Sequence, residues 1–156
     1  MSKRVLVAGI GNLFLGDDGF GCAVARALAS RPQRDGVHVR DFGTRGVDLA
    51  YEISAGWGAV IFVDAAQRGG APGTLYVLDP DALAKAPTVD GHAIRLHQVL
   101  PVARELGAMP SQLRLVACEP QSLEGPDAGV GLSDAVAAAI EPAVALVESL
   151  VERCPA

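Results

Sequence analysis

Aromatic side chains are scarce in this sequence and make up only 4% of its 156 residues. Its core must therefore come from Ala, Val and Leu, which pack well between helices and a sheet but do not build an aromatic-rich β-sandwich. The hydrophobic share of 50% is enough to bury one real core, and the length suits one compact domain. We therefore predict a single α/β domain over residues 1–156.

Clustered basic residues, long apolar runs and paired cysteines are also missing. The 13 Lys and Arg residues are scattered and the net charge is −5, which argues against nucleic acid as a partner. No apolar run approaches the roughly 20 residues that span a bilayer, so no membrane contact is expected. The cysteines Cys22, Cys118 and Cys154 form no CxxC motif and predict neither a disulfide framework nor a zinc ribbon. This cysteine usage favours a reducing, cytoplasmic location.

Five strand-like segments alternate with helical ones along the chain. The strands are predicted at 5–9, 37–42, 59–63, 74–78 and 113–118. A first helix is predicted after Asp17, which is its predicted N-cap. Further helices are predicted at 47–53, at 96–106 and from a Ser133 cap to about Arg153. Pro142 inside the last segment predicts a kink or two shorter helices. This alternation predicts a mostly parallel five-stranded sheet with helices on both faces.

Acidic residues follow several of these strands where the strands end. They are Asp17 and Asp18 after the first strand, Asp41 in the second, Asp64 after the third and Glu119 after the fifth. Ligands of open α/β sheets bind beyond the carboxyl ends of the strands, so these side chains should converge there. Carboxylates gathered at one edge repel each other unless a cation or a shared proton compensates. The pattern predicts a site of that kind.

His97 begins a helix that should start at the same edge. Carboxylates with one imidazole make an N/O ligand set that suits zinc, nickel, manganese or iron, and three protein ligands leave positions open for a substrate. Two plainer interpretations stand beside this one. Acids at strand ends also cap helices and solvate loops, and on its neighbours Leu96 and Val99 alone His97 is better explained as a hydrogen-bonded structural histidine. His92 is a rival for its role.

Several segments, taken in order, resemble one known family. The stretch 9–21, GIGNLFLGDDGFG, is similar to the N-terminal signature of hydrogenase maturation endopeptidases, in which GxGN is followed by an apolar pair, an acidic pair and a glycine. Later pieces follow in the family's order and extend the resemblance over nearly the whole chain: DFGTRG at 41–46, IFVDA at 61–65, PGT at 72–74, LHQ at 96–98 and GLS at 131–133.

The resemblance implies both a site and an activity. It places the family's metal ligands and catalytic residues on Asp18, Asp64 and His97, with Asp18 standing where some members have Glu. It implies an endopeptidase that removes the C-terminal extension of a nickel-iron hydrogenase large-subunit precursor after nickel insertion. Nickel would be carried by this precursor, which is the expected partner, and another divalent metal could take its place. The family fold, a twisted five-stranded sheet flanked by helices, agrees with the strand pattern.

The mechanism stays open at this level. A metal held by the three ligands could polarise the scissile carbonyl or activate water, or an acid pair could act on water directly, as in aspartic proteases. Neither HExxH nor GxSxG is present. Cys118 with His97 as its base is a less favoured nucleophile, because buried cysteine is more often a small apolar side chain. Asp17, Asp41 and Arg45 are candidate substrate contacts, although a solvated loop arginine is the plainer interpretation of Arg45.

Two further functions are weighed against the protease. Gly9 and Gly11 follow a strand and precede a helix, as in nucleotide-binding modules, but Phe14 replaces a fingerprint glycine and two acids occupy the place of a pyrophosphate. A non-catalytic chaperone that only docks on the hydrogenase precursor is the other alternative, and a cleavage assay separates it from the protease.

Overall fold

The sheet contains five strands in the spatial order β2-β1-β3-β5-β4. The computed structural model describes residues 4–80, 96–121 and 131–154. Strands β1, β2, β3 and β5 are parallel, whereas β4 runs antiparallel to β5. The strand bounds are β1 Val5–Ile10, β2 Val37–Gly43, β3 Ala59–Ala65, β4 Leu75–Leu78 and β5 Gln112–Cys118. The predicted mostly parallel five-stranded sheet is confirmed.

Helices cover both faces of this sheet. Their bounds are α1 Phe20–Ala29, α2 Gly46–Ile53, α3 Leu96–Leu106, α4 Asp134–Ala137 and α5 Ile140–Arg153. Side chains alternate along each strand, so Leu6 and Ala8 of β1 join the core under α2 and α3, while Val5 and Val7 join the core under α1 and α5. Within the described ranges, no helix is both long and apolar enough to cross a membrane. The result is a three-layer α/β arrangement.

The strand order reverses between β1 and β3. From β1 the chain passes to β2 on one side and then to β3 on the other side of β1, so β1 and β3 are neighbours at the reversal. The carboxyl end of β1 leads into the loop after Ile10, and the carboxyl end of β3 contains Asp64. The crevice outside such a reversal is the usual ligand site of an open α/β sheet.

Two helix predictions need correction. The chain does not enter α1 directly after Asp17, because a short 3₁₀ helix at Gly16–Gly19 comes first, and the N-cap of α1 is Gly19. The segment after Ser133 forms two shorter helices, which confirms one of the two predicted alternatives, but the break lies at residues 138–139 and not at Pro142. Pro142 lies in the first turn of α5, where a missing N–H removes no intrahelical bond. It therefore neither kinks nor ends a helix.

Candidate active site

Glycines let α1 lie directly on the ends of β1 and β3. A Cβ on Gly21 would overlap the carbonyl oxygens of Ile10 and Val63, so only glycine permits this approach. Gly11, at φ 142°, is in the conformation that glycine adopts readily; a Cβ there would overlap the Asp18 carbonyl oxygen and lie 3.7 Å from Asp64 Oδ1. These close approaches bring the backbone before α1 beside Asp64 and position Asp18 near it.

Asp18 and Asp64 form a pair of interacting carboxyl groups at the reversal of strand order. Asp18 is buried, and its Oδ2 accepts a hydrogen bond of 2.9 Å from the Asn12 N–H. Asp64 is partly buried, and its Oδ1 accepts a 2.8 Å bond from the Ala65 N–H. Loss of water around the carboxyl group raises the pKa of Asp64 well above its usual range, the negative charge of Asp18 raises that pKa further, and the Ala65 bond lowers it only in part.

His97 lies in the first turn of α3 and is partly buried. The helix ends near Gly107, where an added Cβ would contact the Ser54 carbonyl at the end of α2, on the edge away from the carboxyl ends. Its first turn therefore faces the edge that holds Asp64. Across the three described ranges, no three or more His, Cys, Asp or Glu side chains are arranged so as to hold a metal ion. The ligand role of His97 with Asp18 and Asp64 stays a prediction, and His92 lies outside the described residues.

Asp17 is a buried structural carboxylate next to Asp18. Its Oδ1 accepts the Ser133 N–H at 2.7 Å, and its Oδ2 accepts the Ser133 hydroxyl and the Gln121 N–H, each at 2.9 Å. Ser133 is the N-cap of α4, as predicted by position, but its hydroxyl bonds to Asp17 and makes no capping bond to the helix. Asp17 thus fixes the start of α4 to the turn that carries Asp18, while its predicted contact with substrate stays a prediction.

Asp41 and Arg45 stabilise the end of β2. Asp41 Oδ1 accepts the Gly43 N–H at 2.9 Å, and its Oδ2 lies 3.8 Å from Arg26 Nε. The Arg45 guanidinium donates to the carbonyl oxygens of Asp41 and Phe42 at 2.7 and 3.2 Å. These bonds give Arg45 a local structural role in the loop, and the predicted contact of Asp41 and Arg45 with substrate stays a prediction.

The thiols near these acids are poor nucleophiles. Burial raises the pKa of Cys22 to about 12, with further contributions from Asp41 and Asp64. Burial also raises the pKa of Cys118 to about 11, and the negative charges of Asp17 and Glu119 act in the same direction. A thiol with such a pKa is almost fully protonated at neutral pH, whereas the thiolate is the nucleophile. The structure therefore disfavours Cys118 as the attacking group and supports the packing interpretation.

Glu119 holds the loop after β3, a role that the strand-end pattern did not specify. Its Oε1 accepts the N–H groups of Arg68 and Gly70 at 2.8 and 2.9 Å and the Tyr76 hydroxyl at 2.9 Å. Burial acts to raise the pKa of the Glu119 carboxyl, but these hydrogen bonds outweigh it and the pKa is lowered. The acid at the end of β5 therefore organises the loop that leaves Asp64.

Acidification should remove this support in a measurable way. A lowered folded-state pKa means that the Glu119 carboxylate stabilises the fold above the ordinary value of 4.5, and that this contribution is lost as the pH falls through the folded-state pKa. We expect the Glu119→Gln variant to have a lower free energy of unfolding than wild type at pH 7. We expect this difference between the two proteins to be smaller at pH 3. Urea unfolding of both proteins at the two pH values measures it. If wild type and variant differed in free energy of unfolding by the same amount at pH 7 and at pH 3, this role of the charge would be contradicted.

The site also bears on the nucleotide-binding alternative. A dinucleotide-binding loop offers free backbone N–H groups to a pyrophosphate at a helix N-terminus. Here the Asn12 N–H already donates to Asp18, and the buried carboxylates of Asp17 and Asp18 precede α1. A phosphate at this position would face two acidic side chains, so the geometry disfavours a nucleotide.

Fold and site together describe a doubly wound α/β domain with a carboxyl pair at the reversal of strand order. A family model described as hydrogenase maturation protease matches residues 22–150. The hydrogenase 2 maturation protease of Escherichia coli is 36% identical and aligns with 97% of this chain and 96% of its own length. The chain belongs to the hydrogenase maturation protease family.

Solved structures agree with this assignment. The hydrogenase maturating endopeptidase HybD from E. coli matches with a TM-score of 0.83 and 34% identity over 96% of this chain and 92% of that one. A [NiFe] hydrogenase maturation protease, HycI from Thermococcus kodakarensis, matches with a TM-score of 0.68 and 27% identity over 96% of this chain and 91% of that one. The predicted family resemblance is confirmed.

Proposed function

We propose that this protein is an endopeptidase that removes the C-terminal extension of a nickel-iron hydrogenase large-subunit precursor after nickel insertion. Family membership supports the hydrolase class and this kind of partner. The observation that carries the proposal for this chain is the interacting pair of Asp18 and Asp64 at the carboxyl ends of β1 and β3. Cys22 and Cys118 are buried thiols without a disulfide bond, which supports processing in a reducing, cytoplasmic compartment.

The pair offers acid and base chemistry on a peptide bond. Two neighbouring carboxyl groups hold a proton unequally, and burial together with the charge of Asp18 raises the pKa of Asp64, which favours its protonated form. In our proposal Asp64 protonates the scissile carbonyl or the leaving nitrogen, while Asp18 accepts a proton from the attacking water. This is the aspartic-type alternative of the two mechanisms, and it uses only side chains that the structure brings together.

Nickel would enter this site as part of the substrate. In the metal-dependent alternative, the Asp18 and Asp64 carboxylates and the His97 imidazole would be suitable nickel donors, and both carboxyl groups would then be deprotonated, with the cation offsetting their mutual repulsion. A nickel ion carried by the precursor could then report that metal insertion is complete and help to place the scissile bond. Another divalent ion on the precursor could bind to the same donors.

Processing of matched precursors tests the nickel requirement. Purified large-subunit precursor is incubated with the protein either nickel-free or after nickel loading, and the length of the large subunit is followed on a denaturing gel. We expect shortening of the nickel-loaded precursor only. Equal shortening of both precursors would contradict nickel recognition but would still support the proposed protease activity. A stable complex without shortening in either sample would favour the docking chaperone.

A further inference from the structure

Phe14 is the most exposed large apolar side chain among the described residues, at 78% of its full accessibility. It lies in the turn between β1 and the 3₁₀ helix that carries Asp18. Single exposed apolar residues are common on protein surfaces, so exposure alone assigns no role. The position of this turn and its hydrogen bonds to Asn12 are what distinguish Phe14 from the other exposed apolar side chains.

Asn12 connects the turn of Phe14 to the acid pair. The Asn12 N–H donates to Asp18 Oδ2 at 2.9 Å, while Asn12 Oδ1 accepts the Phe14 N–H at 2.9 Å. The Asn12 carbonyl oxygen also accepts the Leu15 N–H at 3.1 Å. One residue therefore fixes both the Asp18 carboxylate and the backbone that displays Phe14.

Packing on the inner side keeps the turn from closing over Phe14. A Cβ on Gly19 would lie 3.2 Å from Leu13 Cα and 3.4 Å from Leu13 Cδ2, so Leu13 packs closely on the 3₁₀ helix. Leu13 and Leu15 are partly buried, whereas Phe14 between them faces outward. The turn therefore presents an aromatic ring to solvent on a hydrogen-bonded backbone, in the segment that leads to Asp18.

We propose that Phe14 is a docking contact for the substrate and receives an apolar side chain of the precursor segment next to the scissile bond. This inference rests on the proposed function. The acids near Phe14 can attract a cation but give little affinity for an uncharged peptide, whereas an exposed phenyl ring supplies apolar contact. Continuity of the turn with Asp18 through Asn12 favours the peptide segment that enters the site over a second copy of this chain.

Binding to a cleavage-blocked protein isolates this contact from the chemistry. In an Asp64→Asn background, the affinity for nickel-loaded precursor is measured by titration with and without Phe14→Ala. Burying a Phe side chain at an interface contributes enough that Phe14→Ala should weaken binding about tenfold to a hundredfold. Phe14→Leu should restore most of the affinity because it keeps an apolar group of similar reach.

Leu106→Ala is the matched control, because Leu106 is 41% exposed at the end of α3 that lies away from the acid pair. We expect its affinity to equal that of the parent. Equal affinity of Phe14→Ala and the parent would overturn the docking role, as would a precursor that binds neither the parent nor the wild-type protein. Binding that depends on Phe14 without any cleavage by the wild-type protein would keep the docking role and overturn the proposed protease activity instead. Self-association that depends on Phe14, without an effect on precursor binding, would identify a second copy as the occupant and contradict the proposal.

Discussion

Asp64→Asn should abolish precursor cleavage while leaving the protein folded. The amide keeps the shape of the side chain, and its oxygen can still accept the Ala65 N–H, so the end of β3 should be preserved. It cannot exchange a proton with the substrate as a carboxyl group does. General acid–base groups contribute about a hundredfold or more to rate, so we expect at least that loss in cleavage. The rate of large-subunit shortening by wild type and variant measures it.

The same substitution should make the metal-free protein more stable at neutral pH. The pKa of Asp64 is raised well above 3.8 in the fold, so between that value and the raised pKa the folded chain holds a proton that the unfolded chain has released. The contribution of Asp64 to stability therefore falls as the pH rises through this window. The amide side chain of the Asp64→Asn variant carries no charge, and the Tm of this variant at pH 7 should exceed that of wild type.

Asp48→Asn is the control for both measurements. Asp48 is an exposed carboxylate in the first turn of α2, paired with Arg45 only at 3.7 Å. Such surface pairs contribute little to stability, so activity and Tm should stay close to wild type. Cleavage by Asp64→Asn at the wild-type rate would exclude Asp64 from the chemistry. A Tm of Asp64→Asn below that of wild type at pH 7 would contradict the claim that the Asp64 carboxylate destabilises the fold.

Gly21→Ala should destabilise the fold strongly although it adds only one methyl group. The added Cβ would overlap two backbone carbonyl oxygens, those of Ile10 and Val63, and neither can rotate away as a side chain can. Gly9 limits any shift of α1, because the Gly21 carbonyl oxygen and the Ala25 Cβ already occupy the space where a Gly9 side chain would lie. Overpacking of this kind costs about 1–3 kcal/mol, and we expect the upper end of that range.

The substitution should reduce cleavage as well as stability, because α1 follows the 3₁₀ helix that carries Asp18. Ala29→Ser provides a control that adds one heavy atom at the exposed end of the same helix. Its free energy of unfolding should stay within about 0.5 kcal/mol of wild type. Urea unfolding gives the free energy of unfolding of each variant, and precursor shortening gives its cleavage rate; both are compared between Gly21→Ala and Ala29→Ser. Equal stability of Gly21→Ala and Ala29→Ser would contradict the close contact of α1 with β1 and β3.

The sheet was predictable because its strands carry strong local signals. The continuous apolar runs before Gly9 and Asp64 are typical of parallel strands covered on both faces, and they form β1 and β3. Acids at strand ends predicted a shared edge, since the carboxyl ends of parallel strands meet there. Asp18 and Asp64 do interact at that edge. The strand pattern predicted the shared edge, but only the resemblance to the family singled out these two residues among the acids there.

The individual hydrogen-bond partners were not predictable from the sequence. Asp17 was expected to cap α1, but its partners Gln121 and Ser133 lie more than a hundred residues away and only the fold brings them close. Glu119 was placed at the correct edge, yet nothing local indicates that it binds the N–H groups of the loop after β3. Adjacent acids look alike in a sequence, and tertiary contacts decide which one is structural and which one faces the site.

The most direct test of the account is the mass of nickel-loaded large-subunit precursor after incubation with wild-type protein or with Asp18→Ala. Mass spectrometry resolves both the shortened subunit and the released C-terminal fragment. The account predicts both products with the wild-type protein and an intact precursor with Asp18→Ala, provided that the variant is folded by circular dichroism. An intact precursor with wild type, or equal cleavage by the folded variant, would contradict the assignment of a protease site to the acid pair.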